Sequence, residues 1–592
     1  MANWTKKIEN FAPDIAKTIK RFPLPVLFLA IATFLFIAIV NNFLSEKDNF
    51  WPLLAAGFAT AAIFALAGRL FNESKSTNII ALIVLEIIVP IAVIAAMQIK
   101  SFTLFVPFFL PLIGIFWLSI SPFTKIGKGG ERQDNQDKFW IINHRAIVSA
   151  IIASFGFGVI ALGLIVIERS LFLLFELDVL EIFYSYLLPF AGFFLVPIYW
   201  LSTIENLDKL EAKELETPDF ISKAIGFLGQ FLFVPVLFVY ALILLAYGVQ
   251  IAITQTMPVG MLGWMVIGFT ITGVGTWLLV YPSFIRKKLM VRLFRKTWFW
   301  LTIIPLILFV IGVYIRVNAY GLTSPRMLLI AGGVWAALLT VIFLSKKFAD
   351  IRLIPLLAGL IFLVLSIGPF NVEHAPNLNQ AERLKNAMIS AVPVTNLNFF
   401  NPNWNEENAK KAIGAVKYLY KNDEGKVMLE EIFVKNSLNY DPNQPVSNLL
   451  KQLKLDNFKT NESENKNNFR LLRLAKDNYP NLSKTSYYLG KVEIYEHISN
   501  LVNVGELGFK ILPEAINITD KSWQENNIKL ADWLKNQEGE FISNPELDFT
   551  INNINYRLII EFAALDKNQD KDWSFVRLEA LLFSSEKPLP KQ

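Results

Sequence analysis

The chain has 592 residues, of which 54% are hydrophobic and 18% charged, and its formal net charge is +6. That length exceeds one ordinary domain, and the charged share is below the roughly 25% usual in soluble domains. Cysteine is absent, which excludes disulfides, thiolate metal sites and cysteine nucleophiles. Residues 1–370 carry 29 Lys and Arg against 20 Asp and Glu, so the basic excess indicates membrane loops and no nucleic-acid partner.

Eleven apolar runs occupy these first 370 residues, each close to the ~20 residues that a membrane-spanning helix needs. The runs are residues 23–43, 51–70, 78–97, 101–120, 146–168, 182–204, 224–254, 260–282, 298–317, 326–344 and 353–370. The first lacks a small-residue cleavage site and is followed at once by another run, which is typical of a signal anchor. The pattern predicts a polytopic α-helical membrane bundle of about 11 transmembrane helices, embedded in the lipid bilayer.

Basic residues in the connecting loops predict how the bundle is oriented. With the N-terminus in the cytoplasm, the loops on that side hold 24 Lys and Arg, and those on the opposite side, before residue 371, hold five. Cytoplasmic loops of membrane proteins carry such an excess. Because the number of spans is odd, we expect residues 371–592 to lie outside the cytoplasm.

Glu86 lies inside the third apolar run, so we expect it within the membrane. A charged side chain in hydrocarbon is costly and is commonly functional. Glu86 is therefore interpreted either as a protonated or hydrogen-bonded structural residue, or as a site of proton or cation coupling. The sequence leaves both alternatives open.

Two cytoplasmic segments carry polar patterns. Residues 124–145 are predicted to form a loop, and their Gly127-Lys128-Gly129-Gly130 run departs from the spacing of a nucleotide-binding phosphate loop, which favours a flexible linker. The second segment has acids at every third position, which predicts a short helix with an acidic face that is solvated or binds a partner. These acids are Glu205, Asp208, Glu211 and Glu214.

The eighth run is rich in glycine, at Gly260, Gly263, Gly268, Gly273 and Gly275. Small residues let membrane helices approach closely, so this pattern predicts tight helix packing. A hinge for a moving helix is the alternative.

Arginines stand at the predicted outer ends of spans five, nine and ten, where basic residues are otherwise sparse. The guanidinium fork suits phosphate and carboxylate groups, so an anion or lipid-headgroup site is a hypothesis here. Its members are Arg169, Arg316, Tyr320, Thr323 and Arg326, with Gly321 permitting a tight turn between spans nine and ten. Separate anchoring of each arginine to ordinary lipid headgroups is the alternative.

Residues 371–592 are predicted to form a water-soluble α+β domain. Apolar residues at helical spacing predict a helix over 405–422, and alternation predicts a strand over 486–495. A hairpin is expected from residues 556–565 and 574–583. Its connecting segment lacks the glycine and the final acid of a calcium loop, which favours a polar turn and no metal site.

Five stretches of the chain, taken together, resemble a bacterial membrane-protein family catalogued as domain of unknown function 4153. They are residues 140–145, 240–251 followed by 258–260, 316–326, 368–370 and 380–384, and the resemblance covers roughly residues 20–385. It implies a multi-pass protein of the bacterial plasma membrane. It supplies no catalytic residues and no cofactor.

Three functions fit these patterns. The favoured one is an envelope-associated bundle that presents an extracytoplasmic binding or assembly domain, with an anionic lipid or envelope component as partner. The second is a transporter or a lipid- or glycolipid-handling protein, with Glu86, the glycines and the arginines as its working parts. The third is a glycosyl transferase-like membrane enzyme, for which Glu46 and Asp48 in a short outer loop are the available acids.

Overall fold

Long apolar helices dominate the first 370 residues of the computed structural model. The structure describes residues 13–44, 49–75, 79–99, 106–125, 130–177, 179–207, 210–211, 215, 218, 220–254, 262–345, 348–391, 402–442, 444–456, 458, 469–474, 487–495, 501–512, 515–520, 525–529, 541–542, 545–567 and 573–586. Contacts divide the chain into two compact units, Met1–Leu453 and Lys454–Gln592. Each unit is described by itself.

The helices up to residue 370 follow the predicted apolar runs closely. They are α1 Pro13–Arg21, α2 Pro23–Val40, α3 Phe50–Lys75, α4 Ile79–Met97, α5 Pro107–Phe123, α6 Gly130–Phe175, α7 Leu180–Ser202, α8 Phe220–Thr254, α9 Leu262–Leu279, α10 Leu289–Leu301, α11 Ile303–Tyr320, α12 Ser324–Leu344 and α13 Leu353–Ser366, with single turns at Ser283–Arg286 and Gly368–Phe370. Within the described residues, eight helical stretches are long and apolar enough to cross a membrane, with α10 and α11 counted as one; α5, α9 and α13 are apolar but shorter. The polytopic helical bundle is thus confirmed.

Proline explains the π-helical turns that interrupt three of these helices. The turns are Val84–Ile88 in α4, Phe183–Leu187 and Ala191–Leu195 in α7, and Gly229–Phe233 in α8. Each ends two residues before a proline, at Pro90, Pro189, Pro197 and Pro235 respectively. Proline has no N–H to donate and its ring crowds the preceding turn, so a locally wider turn relieves both problems.

Helix α6 is much longer than a membrane span, with 46 residues. At 1.5 Å per residue it measures about 69 Å. Residues 130–145 form its first turns, so the expectation of a loop across 124–145 is wrong for this part. Three residues of this part, Phe139, Trp140 and Ile141, are buried although their neighbours in the sequence are polar. Their burial stabilises the helix at this point. Residues 127–129 lie outside the described residues.

A buried ion-pair cluster ties the start of α6 to the α12–α13 connection. The Asp350 carboxylate accepts hydrogen bonds from Arg352 at 2.8 and 3.0 Å and from Arg132 at 3.2 Å. Arg352 also donates to the carbonyls of Phe123 and Lys125 at 2.9 and 2.7 Å. Burial of Asp350 opposes its ionisation, but the hydrogen bonds from Arg352 hold the pKa of its carboxyl below the usual value.

Glycine in α9 permits the close packing that the sequence predicted. A Cβ on Gly273 would lie 1.6 Å from the indole ring of Trp298, which is fully buried. Gly263 also faces a neighbour, Leu329, whereas a Cβ on Gly268 or Gly275 would meet nothing within 4 Å. Tight packing is therefore confirmed at Gly273. Gly260 lies outside the described residues.

The acidic segment after α7 does not form the predicted short helix where it is described. Glu205 and Glu211 lie in irregular backbone, and Glu205 pairs with Arg145 of α6. Asp208 and Glu214 lie outside the described residues. The carboxylate of Glu205 thus links the segment after α7 to helix α6.

Four helices follow the last apolar helix and belong to the first compact unit. They are α14 His374–Ala391, α15 Glu406–Leu419, α16 Asp423–Lys435 and α17 Val446–Gln452. The Tyr418 hydroxyl of α15 accepts a hydrogen bond from the Ser324 amide at 3.1 Å. The sequence placed the domain boundary at residue 370, where the apolar helices end, whereas the contacts keep residues up to Leu453 with the bundle. Helix 405–422 is confirmed as α15.

The second unit is built from strands. They are β1 Phe469–Leu474, β2 Tyr487–Tyr495, β3 Val502–Val504, β4 Leu507–Leu512, β5 Ala515–Thr519, β6 Glu525–Lys529, β7 Phe541–Ile542, β8 Glu546–Ile551, β9 Ile554–Lys567 and β10 Trp573–Ser584. One sheet has the order β2-β10-β9-β1-β7 with β8 beside β9, and is antiparallel except between β1 and β7; the other is antiparallel, β3-β4-β5-β6. The predicted strand over 486–495 and the β9–β10 hairpin are confirmed. The hairpin's tip, residues 568–572, lies outside the described residues.

Candidate functional site

The turn between α11 and α12 is held in one conformation by α14. Gly321 has a positive φ of 75°, and a Cβ there would lie 2.5 Å from Nε2 of Gln380. That Nε2 donates hydrogen bonds to the carbonyls of Tyr320 at 3.1 Å and Leu322 at 2.8 Å. Both the backbone conformation and the close approach require glycine at this position.

Arginines converge on this turn. The Arg326 guanidinium donates to the Gly321 carbonyl at 2.6 Å and lies 5.5 Å from the centre of the Tyr320 ring. Arg383 of α14 donates to the carbonyls of Asn318, at 2.9 Å, and Ala319. These donors satisfy carbonyls at the end of α11, where the helix dipole favours cations. Arg326 and Arg383 thus bring two guanidinium groups to this turn.

The other two predicted members have different surroundings. Thr323 is the residue before α12, and its carbonyl accepts from the Met327 amide at 2.8 Å. Arg169 lies near the end of α6, with 59% of its side chain exposed, and its Nε is 3.4 Å from a carboxylate oxygen of buried Glu168. The described contacts bring Tyr320 and Arg326 together and place Arg169 with Glu168, whereas Arg316 lies in the last turns of α11.

Sequence reasoning missed Gln380 and Arg383, which supply most of the side-chain hydrogen bonds to the turn. Both belong to the 380–384 stretch that contributed to the family resemblance, so a signal was present. Burial lowers the pKa of the Arg383 guanidinium from its ordinary value. A nearby anion would stabilise its charged form.

Glu86 lies in a buried polar network. It is 3% exposed, and Nδ2 of Asn72 donates to its carboxylate at 3.0 Å. Nη1 of Arg69 is 3.9 Å from the same oxygen, Arg69 also pairs with Glu73 at 3.4 Å, and Glu73 pairs with Arg21 at 2.8 Å. These partners support the structural alternative for Glu86.

A cavity of about 820 Å³ lies among α5, α6, α9, α12 and α13. Its wall is apolar and aromatic, and includes Phe116, Trp140, Trp264, Trp335 and Phe362. Along α13 the lining extends from Ile354 to Leu365, eleven residues apart. At 1.5 Å per residue that is about 17 Å, roughly half of the ~30 Å hydrocarbon core of a bilayer.

The cavity is open at its side and polar at one end. Trp264, Ile147 and Ile271 line it and are 57%, 62% and 54% exposed, so it communicates with whatever surrounds the bundle. Polar side chains occur at one end, where Asn143 and His144 of α6 lie close to Ser119 of α5. Nδ2 of Asn143 donates to the Ser119 carbonyl at 3.1 Å. Within the described residues, no group of His, Asp or Glu is arranged to hold a metal ion. Glu46 and Asp48 lie outside those residues.

Apolar helices of spanning length, with an apolar cavity opening between them, define a multi-pass membrane protein. Residues 24–393 match a family described as Domain of unknown function (DUF4153), and the chain belongs to that family. It is similar to the "Uncharacterized protein PM1469" of Pasteurella multocida (strain Pm70), with 24% identity over 233 residues. That match covers 38% of this chain and 38% of the relative. No solved structure matches the chain.

Proposed function

We propose that this protein is a lipid-handling protein of the bacterial plasma membrane, whose bundle takes the hydrocarbon chains of a phospholipid into the large cavity. The cavity is the observation that carries the proposal. Its volume of about 820 Å³ falls within the ~300–1,000 Å³ of typical ligand sites. Its length along α13, about 17 Å, is close to the hydrocarbon thickness of one leaflet. In this proposal its open side faces the lipid chains around the bundle.

Contacts between the helix ends support eleven crossings with alternating direction. Arg145 pairs with Glu205, and these two residues flank the predicted spans 146–168 and 182–204 at ends assigned to the cytoplasm. The Val106 amide donates to the Ser366 carbonyl at 2.7 Å, and these two residues lie just before α5 and at the end of α13, at helix ends assigned to the opposite side. We therefore propose that α5, α9 and α13 also cross, which gives an N-terminus inside and an extracytoplasmic C-terminal region.

Photo-crosslinking in nanodiscs tests lipid occupancy of the cavity. The full chain is reconstituted with phosphatidylglycerol that carries a diazirine near the end of one acyl chain, and labelled peptides are mapped by mass spectrometry. We expect labelling of the cavity-lining segments of α9, α12 and α13. Labelling confined to outward-facing residues of α6 would refute occupancy.

A matched pair of substitutions in α13 makes the test specific. Ala358 lines the cavity, whereas Leu360 is 49% exposed and is not among its lining residues. Ala358→Phe fills the cavity and should lower cavity labelling at least fivefold, while Leu360→Phe leaves it unchanged. Equal labelling of both variants would contradict the proposal.

The arginine cluster at the Gly321 turn favours a second role, recognition of an anionic headgroup. Its support is the pair of guanidinium groups, those of Arg326 and Arg383, that donate to carbonyls at this turn. Arg326→Lys keeps the charge but loses the planar fork, whereas Arg326→Ala loses both. A shaped phosphate site predicts that both variants lose co-purifying anionic lipid equally; retention by Lys alone indicates simple anchoring. The separate unit Lys454–Gln592 is, in this proposal, the domain presented outside the cytoplasm.

A further inference from the structure

A second, smaller cavity adjoins the polar end of the large one. Its volume is about 310 Å³, and the two cavities share Trp140 and His144 as lining residues. The Trp140 and His144 rings are stacked, with centroids 4.4 Å apart and planes inclined by 14°. Because both rings line both spaces, the stacked pair forms a common wall between an apolar chamber and its neighbour.

The smaller cavity is lined by polar donors. Nε2 of His144 lies 3.1 Å from the Ser222 hydroxyl, and the Thr203 hydroxyl donates to Ser149 at 2.9 Å. Arg145 lines the same space and is held by Glu205. The remaining eight described lining residues are apolar, among them Ile141, Val148 and Phe284. None of the described lining residues is acidic.

An apolar cavity beside one that carries polar donors suits an amphiphile, and the lining chemistry selects its headgroup. Guanidinium, imidazole and hydroxyl groups are hydrogen-bond donors that phosphate oxygens accept. The site also lies among connections rich in Lys and Arg, on the side assigned to the cytoplasm.

We propose that the smaller cavity binds the phosphate headgroup of an anionic phospholipid from the cytoplasmic leaflet. This inference rests on the proposed function, because the chains of the same lipid occupy the large cavity. The headgroup lies against His144 and Arg145, and the chains extend past Trp140 along α13. The ~17 Å reach of the large cavity fits chains that begin at this leaflet.

Lipid competition measured by native mass spectrometry tests the inference with the purified full chain. Phosphatidylglycerol should bind at least tenfold more tightly than phosphatidylcholine with the same acyl chains. Arg145→Gln should abolish that preference. Lys138→Gln is the matched control, since Lys138 is on the same helix, pairs with Asp134 and does not line either cavity.

A second variant covers the case in which Arg145→Gln disturbs folding through its lost pair with Glu205. Ser222→Asp introduces a carboxylate into the small cavity and should also remove the preference for phosphatidylglycerol by repelling its phosphate. Preserved preference in a monodisperse Ser222→Asp variant overturns the inference. Glycerol 3-phosphate is the soluble probe, and displacement of phosphatidylglycerol by it at millimolar concentration would show a soluble phosphate ligand and overturn the lipid assignment.

The outcomes for the two cavities are separable. If diazirine chains label the large cavity but the two lipids bind equally, the headgroup assignment fails and the proposed function stands. If the chains do not label the large cavity, the proposed function fails whatever the headgroup preference. A tenfold preference lost in Arg145→Gln and kept in Lys138→Gln supports both.

Discussion

Replacement of Gly273 by alanine should destabilise the bundle, because the new methyl group has no space. A Cβ there would lie 1.6 Å from Cζ2 of Trp298 and 2.3 Å from two further indole atoms. Trp298 cannot retreat easily, since it is fully buried and its ring packs against Phe269 at 4.7 Å and Phe294 at 5.0 Å. Overpacking of this kind costs about 1–3 kcal/mol.

Gly275 provides the control on the same helix. A Cβ there would meet nothing within 4 Å, so Gly275→Ala should stabilise α9 by about 0.5–1 kcal/mol through its helix propensity. Because the propensity gain is common to both variants, their stabilities should differ by the overpacking cost alone, about 1–3 kcal/mol.

Thermal unfolding in detergent, followed by intrinsic tryptophan fluorescence, measures the difference as a shift in Tm. Gly273→Ala should unfold below the parent protein and Gly275→Ala at or above it. Trp298→Phe, added to Gly273→Ala, replaces the two-ring indole by a single phenyl ring and should recover part of the lost Tm. Equal Tm values for the two alanine variants would refute the packing of Trp298 over Gly273.

Three further predictions concern the charged cluster, the C-terminal unit and the topology. Asp350→Asn should cost on the order of 3 kcal/mol at pH 7, because it unpairs buried Arg352. The lowered pKa of Asp350 makes its contribution present at neutral pH and lost as pH falls through that pKa, so the Tm gap between parent and variant should close in acid below about pH 4. Residues 454–592 expressed alone should give a soluble protein with a sheet-rich circular dichroism spectrum; insoluble material from every boundary tried would contradict this. Alkaline phosphatase fused after Gln592 should be active, and an active cytosolic reporter at that position would reverse the topology.

The pattern of hydrophobic residues was sufficient to predict the helices. Each apolar run must satisfy its backbone hydrogen bonds internally within a membrane, and a helix does so. The pattern failed for residues 130–145, where charged residues masked a helix that Phe139 and Trp140 anchor by burial. The π-helical turns could have been predicted from proline positions such as Pro90, two residues after the turn that holds Glu86.

The candidate sites were less accessible to sequence reasoning. Tyr320 and Arg326 are close in sequence, and their contact follows from one tight turn. Gln380 and Arg383 reach the same turn from a helix about 60 residues away, a contact that only tertiary packing creates. The cavity is a space between helices, and no pattern of residues in the sequence marks such a space.

Helix α6 is so long that a small rotation at one of its ends would displace the other end by several ångströms. This continuous helix of about 69 Å carries the Arg132–Asp350 ion pair near one end and Arg169 near the other. Few of its apolar side chains are buried along the spanning portion, so neighbouring helices resist its tilting only weakly. A pivot of about 5° at the ion-paired end would carry the far end through about 6 Å over that length. Residues 139–150 of this helix border both cavities, and the same rotation would widen or narrow their openings in step.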